Sequence, residues 1–496
     1  MWPFRRKKTE RSLPAARDAS PRKARLLVTA NRENRGRMLR ARYDAAQTTA
    51  ENARHWAMAD ALSADAAGTA DVRRRLRERA RYEVANNSYA KGIVLTLAND
   101  CVGTGPRLQL LGASADVNRR VEAAFARWAG AIDLAGKLRT MRMAKVTDGE
   151  AFAVLTANPL VDSPVQMDLH LVEADRVASP LGLPGNLARD EGIDGILLDA
   201  WGNPRSYCIL RQHPGDLSGW RNDFDLVDAA SVVHWFRPDR PGQHRGIPEL
   251  TPALPLFAQL RRYTLAVIAA AETAADFAAV LFTDAPANGE AQPLEPMDVV
   301  ELEKRMATVL PDGWRLGQID AHQPATAYGE FKREILNEIA RCLNLPYNIA
   351  ACNSSGYNYA SGRLDHQTYF KSIRVEQAHL AEAVLDPLFD AWLSEARLVP
   401  EFARLGLARA PVARQWFFDG TEHVDPAKEA NAQATRLGSN TTTLAAEYAR
   451  QGKDWETELR QRAKEKQLME DLGLADQPAP GPEEETDDDA DERQAA

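Results

Sequence analysis

The sequence predicts an α+β protein in which a mainly β module is flanked by helices. Three observations carry that expectation. Apolar and alternating runs bounded by Gly, Pro and Asn crowd residues 150–236. An Ala-rich helical run follows from Ile247. Amphipathic helical patterns fill the stretches before 150 and after 327.

Taken in order, the first helical pattern begins near Tyr43-Asp44 and runs past Trp56. After a break at 63–71, one long helix is expected from Val72 to Asp100. Its first half is basic, and its second half sets Tyr89, Ile93 and Leu97 on one stripe. Gly103, Gly105 and Pro106 stop it. A short strand at 107–111 and a helical pattern over 116–146 come next. Strands are expected at 150–158, 165–173, 195–199, 206–211 and 232–236, separated by Gly-, Pro- and Asp-rich turns. From Ile247 to Asp284 the pattern is one long helix or a kinked pair. Its Ala residues, among them Ala270 and Ala274, fit either high helix propensity or close packing against copies of itself. A compact insertion at 285–323 contains a strand at 314–319. The helix at 327–345 carries Phe331, Ile335 and Ile339 on one face. Helix 369–396, strand 412–418 and helices 426–437 and 443–472 complete the chain.

Composition sets the outer limits. The chain has 496 residues, 44% of them apolar, enough for a substantial core. Its net charge of −8 hides an asymmetry, since residues 1–40 hold thirteen Lys/Arg against three acids and residues 483–492 hold eight acids and no base. These ends read as solubilising tails, or the first as a basic arm for nucleic acid. Four cysteines, Cys101, Cys208, Cys342 and Cys352, lack metal or redox spacing and read as free thiols. No apolar run follows MWPFRRKKTE, so no signal peptide is read. The run 263–282 carries Glu272 and Asp276 and reads as a packed helix, not a membrane span.

Enzyme chemistry is not legible. There is no phosphate-loop motif, no H-E-x-x-H, no Cys/His cluster and no G-x-S-x-G. Gly103-Thr104-Gly105 runs into Pro106 and reads as a turn. Asp148-Gly149-Glu150 could be a pair of acids but reads as a turn before a strand. No catalytic residue, cofactor or metal is expected. The most distinctive segment is FKREILNEIARCLNLPYNIAACNSSGYNYASGRLDH, residues 331–366: a helix, a polar loop and the start of a second long helix near Arg363. A loop that long and that polar suits contact with a partner.

Four segments resemble the lambda-type bacteriophage portal proteins. They are RARYDAAQTTAENARHW, RRRLRERARYEVANNSYAKGIVLTLANDCVGTGPRLQ, IARCLNLPYNIAACNSSGYNYASGR and WFFDGTEHVDPAKEANA, in the family's order over residues 40–455. One departure is Ala360-Ser361, where the family pattern has Ser-Ser.

The resemblance implies a portal fold with an α/β wing, a helical stem, a small clip and a helical crown, assembled as a ring, usually a dodecamer. It implies a channel at one capsid vertex for packaging and ejecting double-stranded DNA. Its implied partners are the large terminase subunit, major capsid and scaffold or protease proteins, and head-tail completion proteins, with no membrane. It places the protein in the virion, and in the host cytoplasm during assembly. On that plan 1–40 is an arm, 41–247 the wing, 248–284 a stem helix, 285–325 the clip and 326–345 the second stem helix. Residues 346–366 are then a tunnel-loop region, 367–424 the return to the wing, 425–475 the crown and 476–496 an acidic tail. Asn353, Ser354, Ser355, Tyr357, Asn358 and Tyr359 would face DNA. Lys332, Arg333, Asn337 and Arg341 would line the channel wall, and Arg363 would anchor the loop to a carboxylate. The loop also fits a static contact between subunits. A nucleic-acid enzyme (a nuclease or packaging ATPase) and a monomeric DNA-binding adaptor acting through residues 1–40 are the competing functions.

Overall fold

The computed structural model describes residues 46–112, 114–179, 192–216, 223–276, 280–283, 314–317, 327–405, 412–420 and 426–474. Residues up to Leu62 and those from Ser63 onward form separate units. In the first unit the expected helix through Trp56 is a set of turns. Thr49 and Asn52 side chains accept from each other's backbone N–H, at 3.2 and 2.8 Å, and so compete with a helical ladder.

In the second unit, the turn α1 (Ala64–Ala67) leads into α2 (Ala70–Asn86) and α3 (Ser88–Val102). The single helix expected over 72–100 is thus broken, because Asn87 is extended (φ −124°) and its side chain caps Tyr89 and Ala90. The break lets the two halves bury different faces. Arg73, Arg77 and Ala80 point inward from α2, and Ile93, Val94, Leu97 and Cys101 from α3. Gly103 ends α3 at φ +59°.

Strand β1 (Arg107–Leu110) precedes α4 (Ala115–Ala131) and α5 (Leu134–Asp148), which Asp133 separates at φ +50°. The β module holds two antiparallel sheets. One has order β3-β2-β8, from β2 (Glu150–Ala157), β3 (Met167–Val172) and β8 (Val232–Phe236). The other runs β4-β5-β6-β7, from β4 (Gly192–Ile193), β5 (Ile196–Leu198), β6 (Pro204–Leu210) and β7 (Phe224–Asp228). Phe152, Tyr207 and Ile209 form the core shared by these sheets.

Pro252 sits in a 3-10 turn at Thr251–Ala253, and Pro255 in the first turn of α6 (Leu254–Asp276) that follows. The expected helix to residue 284 does not continue, because Val280–Thr283 is strand β9, paired with β10 (Trp314–Gly317). β-branched and aromatic residues favour that extended state. The rest of the expected clip, and Ala278 and Ala279 of the expected stem helix, lie outside the described residues.

Helix α7 (Ala327–Cys342), the turn α8 (Tyr347–Ala350) and α9 (Tyr359–Leu380) follow. A π-helical stretch at Ala381–Leu385 joins α9 to α10 (Asp386–Ala396). Pro387 has no N–H to give the helical ladder, and the wider turn absorbs the gap. The short α11 (Pro400–Ala403) leads toward β11 (Arg414–Phe417), which pairs antiparallel with β1. Helix α12 is Pro426–Gly438. The helix expected over 443–472 splits into α13 (Leu444–Arg450) and α14 (Trp455–Asp471). Gly452 separates them at φ +71°, where an added Cβ would lie 2.3 Å from the Phe418 carbonyl oxygen.

Two larger cores complete the unit. Phe125, Trp128, Phe389 and Trp392 centre one, with edge-to-face rings at 5.3–5.4 Å. Ile93, Leu97, Phe257, Leu336, Ile339 and Tyr369 tie α3, α6, α7 and α9 into the other. Each buried side chain of that size contributes about 1.5–3 kcal/mol. Among the described residues no helix is long and apolar enough to cross a membrane.

Candidate functional site

The loop after α7 is positioned by how that helix packs and ends. Leu336, Ile339, Ala340 and Leu343 are buried at i, i+3, i+4 and i+7. The buried stripe is therefore turned from the expected Phe331-Ile335-Ile339 face. Phe331 is exposed and meets Tyr263 edge-on at 4.7 Å. The helix closes on Asn344 at φ +56°. Leu345 N–H donates to the Ala340 carbonyl (3.0 Å) and Asn344 N–H to that of Arg341 (3.2 Å), the paired bonds of a Schellman end.

From there the backbone is closely held. Asn348 is buried, and its amide donates to His366 Nε2 at 3.2 Å, joining α8 to α9. Asn353 N–H donates to the Asn348 carbonyl at 3.0 Å. A turn at 354–357 places Gly356 at φ +85° and closes from Tyr357 N–H to Ser354 O at 3.2 Å. Asn358 then caps α9 in a reciprocal box with Ser361 (2.8 and 3.2 Å). The loop is accordingly 351–358, shorter than the expected tunnel-loop region of 346–366. Gly362 lies inside α9.

Asn353, Ser354, Ser355 and Asn358 are exposed, Tyr357 is half-buried, and Tyr359 opens the helix. Burial first, then the nearby Asp365 carboxylate, pushes the Tyr357 phenol up, so it stays neutral at physiological pH. The loop carries no charge between Ala350 and Gly362.

The four residues expected on the channel wall divide. Arg333, Asn337 and Arg341 are exposed at i, i+4 and i+8 and form one stripe beside the loop base. Arg333 lies over the Tyr347 ring (5.9 Å), and Arg341 donates to Asn344 Oδ1 (3.3 Å). Lys332 departs from the expected wall, because it is half-buried over Tyr89 (5.1 Å) and packs α7 against α3. Arg363 is exposed and has no carboxylate partner among the described residues. The anchoring expected of it comes from Asn348, His366 and the Asn358–Ser361 box. The Asn-x-x-Ser spacing was the sequence signal for that cap.

The Arg-rich helix has a structural role that sequence reasoning missed. Arg73, Arg77 and Arg81 form a stripe at i, i+4 and i+8, turned into the protein. Arg73 pairs with Asp194, Arg77 with Asp175 (3.0 Å), and Arg81 with Asp148 (2.7 Å) and Asp175 (2.6 Å). At the centre Glu150 is fully buried. It accepts from Arg245 Nη2 (2.6 Å) and Nε (2.9 Å), Gly246 N–H (2.9 Å) and His234 Nε2 (3.2 Å). Burial acts to raise this carboxyl, but the Arg245 and His234 partners hold it well below the usual carboxylate range. Gly149 and Gly246 let the backbones meet here, since a Cβ on Gly149 would sit 2.3 Å from the Ile247 carbonyl carbon. A second buried set joins Arg142 to Glu249 (3.0 Å) and Lys145 to Glu376. Each acid in these networks faces at least one cation, and the described residues hold no group of three metal-ligating side chains. The arrangement cements elements together.

Residues 50–377 match the family described as "Phage portal protein, lambda family". A chain described as "Probable portal protein" of Halomonas phage phiHAP-1 is 24% identical over 433 residues, covering 80% of this chain and 81% of that one. Among solved structures, a chain from "Neck of native GTA particle computed with C12 symmetry" aligns with TM-score 0.46 and 14% identity, over 75% of this chain and 90% of that chain. An HK97 family phage portal protein from Corynebacterium diphtheriae aligns with TM-score 0.30 and 15% identity, over 72% of this chain and 98% of that chain.

Proposed function

This chain belongs to the lambda family of phage portal proteins, and from that premise we propose that its loop at 351–358 faces DNA in the channel of the ring. As a portal protein it is a structural, non-enzymatic part of the virion's portal vertex. It forms a homo-oligomeric ring, meets capsid and tail proteins there, and serves genome packaging.

In this reading the ring is a dodecamer and double-stranded DNA threads it. The large terminase subunit docks on the outer end, head-tail completion proteins later replace it, and assembly takes place in the host cytoplasm. Residues 41–247 make the wing, α6 and α7 the stem, 285–325 the clip and α12–α14 the crown. Arg333, Asn337 and Arg341 lie on the channel wall.

The observation that supports it is the loop's chemistry. It is exposed, uncharged and held at both ends by capped helices. A conduit must contact DNA without fixing it. Each Lys or Arg set on a phosphate would strengthen and localise binding, whereas hydroxyl, amide and phenol groups can touch the backbone at any register. Shortening the chain across Ser354–Tyr357 tests the assignment. Rings should form normally by electron microscopy while packaged DNA falls sharply. Normal packaging by that variant refutes the role.

A further inference from the structure

An open cavity of about 1230 Å³ lies among α9, β11, α12 and α13. Its floor is partly apolar, from Phe370, Ile373 and Trp416. Three cations at its rim are already paired. Glu429 (2.8 Å) and Glu447 (3.1 Å) hold Arg436, Glu447 also holds Arg450 (3.2 Å), and Glu458 meets Lys453 (3.5 Å). The lining acids Asp100 and Asp419 are engaged by the Tyr369 hydroxyl (2.6 Å) and by Thr104 (2.6 and 2.7 Å). Two guanidinium groups of the lining, Arg363 and Arg374, are exposed with no carboxylate partner among the described residues.

These two arginines stand eleven residues apart on α9, close to three full turns. They therefore share a face and are about 16 Å apart along the axis. In an extended chain alternate residues share a face, and four to six residues span about 13–20 Å, which brackets that length. The run at 483–492, EEETDDDADE, has acids at 483, 485, 487, 489 and 491, all on one such face. Reach is sufficient. Helix α14 starts two residues after Lys453, and its length can carry the chain at most about 24 Å from the groove. The eight residues from 475 to 483 can span up to about 27 Å on the way back.

We propose that the acidic run at 483–492 lies in this groove and covers Arg363 and Arg374, standing in for a phosphate backbone. The groove is separate from the loop at 351–358, and the proposal does not depend on what that loop touches. Its consequence is that these cations are hidden from stray nucleic acid for as long as the tail is seated.

The test compares full-length proteins binding a short mixed-sequence duplex at low salt. In one variant the eight acids of 483–492 become amides (Glu483→Gln, Asp487→Asn and likewise for the others). It should bind the duplex about tenfold more tightly than the parent. Adding Arg363→Gln and Arg374→Gln to that variant should remove the gain. A peptide of residues 475–496 added in excess should reverse the gain while the arginines are present. Two results overturn the proposal: unchanged affinity in the amide variant, or a gain that survives loss of both arginines. The second would assign the tail to cations elsewhere, such as those of residues 1–40.

Discussion

Consider Glu150→Gln, which keeps the shape of the side chain and removes one charge. The carboxylate is wholly buried and accepts from Arg245, His234 and the Gly246 N–H, with Arg77 3.6 Å away. The replacement amide keeps one acceptor and turns an NH2 group toward donors. Arg245 loses its bidentate partner in a place water does not reach. Breaking a buried ion pair from one side costs about 3–5 kcal/mol. The urea midpoint of the variant, followed by tryptophan fluorescence, should drop accordingly at pH 7. The pH dependence follows from the lowered Glu150 pKa. A carboxyl depressed in the fold contributes stability above its unfolded value, about pH 4.3, and loses it as pH falls toward the folded value. The gap between parent and variant should therefore be constant from pH 7 to about 5. Below about pH 4 it should narrow by about 1.4 kcal/mol per pH unit. A variant within about 1 kcal/mol of the parent at pH 7, or a gap that persists undiminished at low pH, refutes this account of the network.

Other outcomes are equally direct. Gly149→Ala needs φ +90° and sets a methyl 2.3 Å from the Ile247 carbonyl carbon, so soluble yield should collapse, while Gly202→Ala, which shares the positive φ (+83°) but meets nothing within 4 Å, should cost only the backbone strain of about 1–3 kcal/mol. Asn358→Ala with Ser361→Ala removes the box at the start of α9 and should cost about 1–2 kcal/mol, read as faster amide exchange at 359–363. Ala270→Leu with Ala274→Leu should disturb ring assembly by overpacking the stem, and intact rings in electron micrographs would show that this face packs against nothing. Deleting residues 1–40 should leave ring formation unchanged by mass measurement. A parent that stays monomeric and loses DNA binding on that deletion would favour a monomeric adaptor acting through the arm.

Much of the architecture was legible because side-chain periodicity and helix-stopping residues report local geometry. Strand 232–236 and helices such as 327–342 fall where the patterns put them. The errors came from single residues that act through side chain or backbone: Asn87 and Asp133 split expected helices by capping, and Gly452 by close approach to Phe418. Strand β7 escaped notice because Phe224–Asp228 faces solvent with charged side chains and lacks a clean apolar alternation. At the candidate site the loop's polarity was readable, but its true limits were not, since the Asn358–Ser361 box hides inside a run that looks uniformly loop-like. The inward turn of Arg73 and Arg77 was beyond reach. A basic helix looks the same in sequence whether its counter-charges are phosphates or buried carboxylates from residues 148–194.

The pairing of β1 with β11 has a consequence in time. Leu110 and its partner Arg414 are about 300 residues apart in the chain. At a synthesis rate of roughly 5–20 residues per second, β1 leaves the ribosome about 15–60 seconds before β11 exists. For that interval its edge has no native partner. A truncated or stalled chain therefore lacks this ladder altogether, and only a chain read through beyond residue 417 can finish the sheet. Formation of this ladder thus reports that synthesis has passed residue 417.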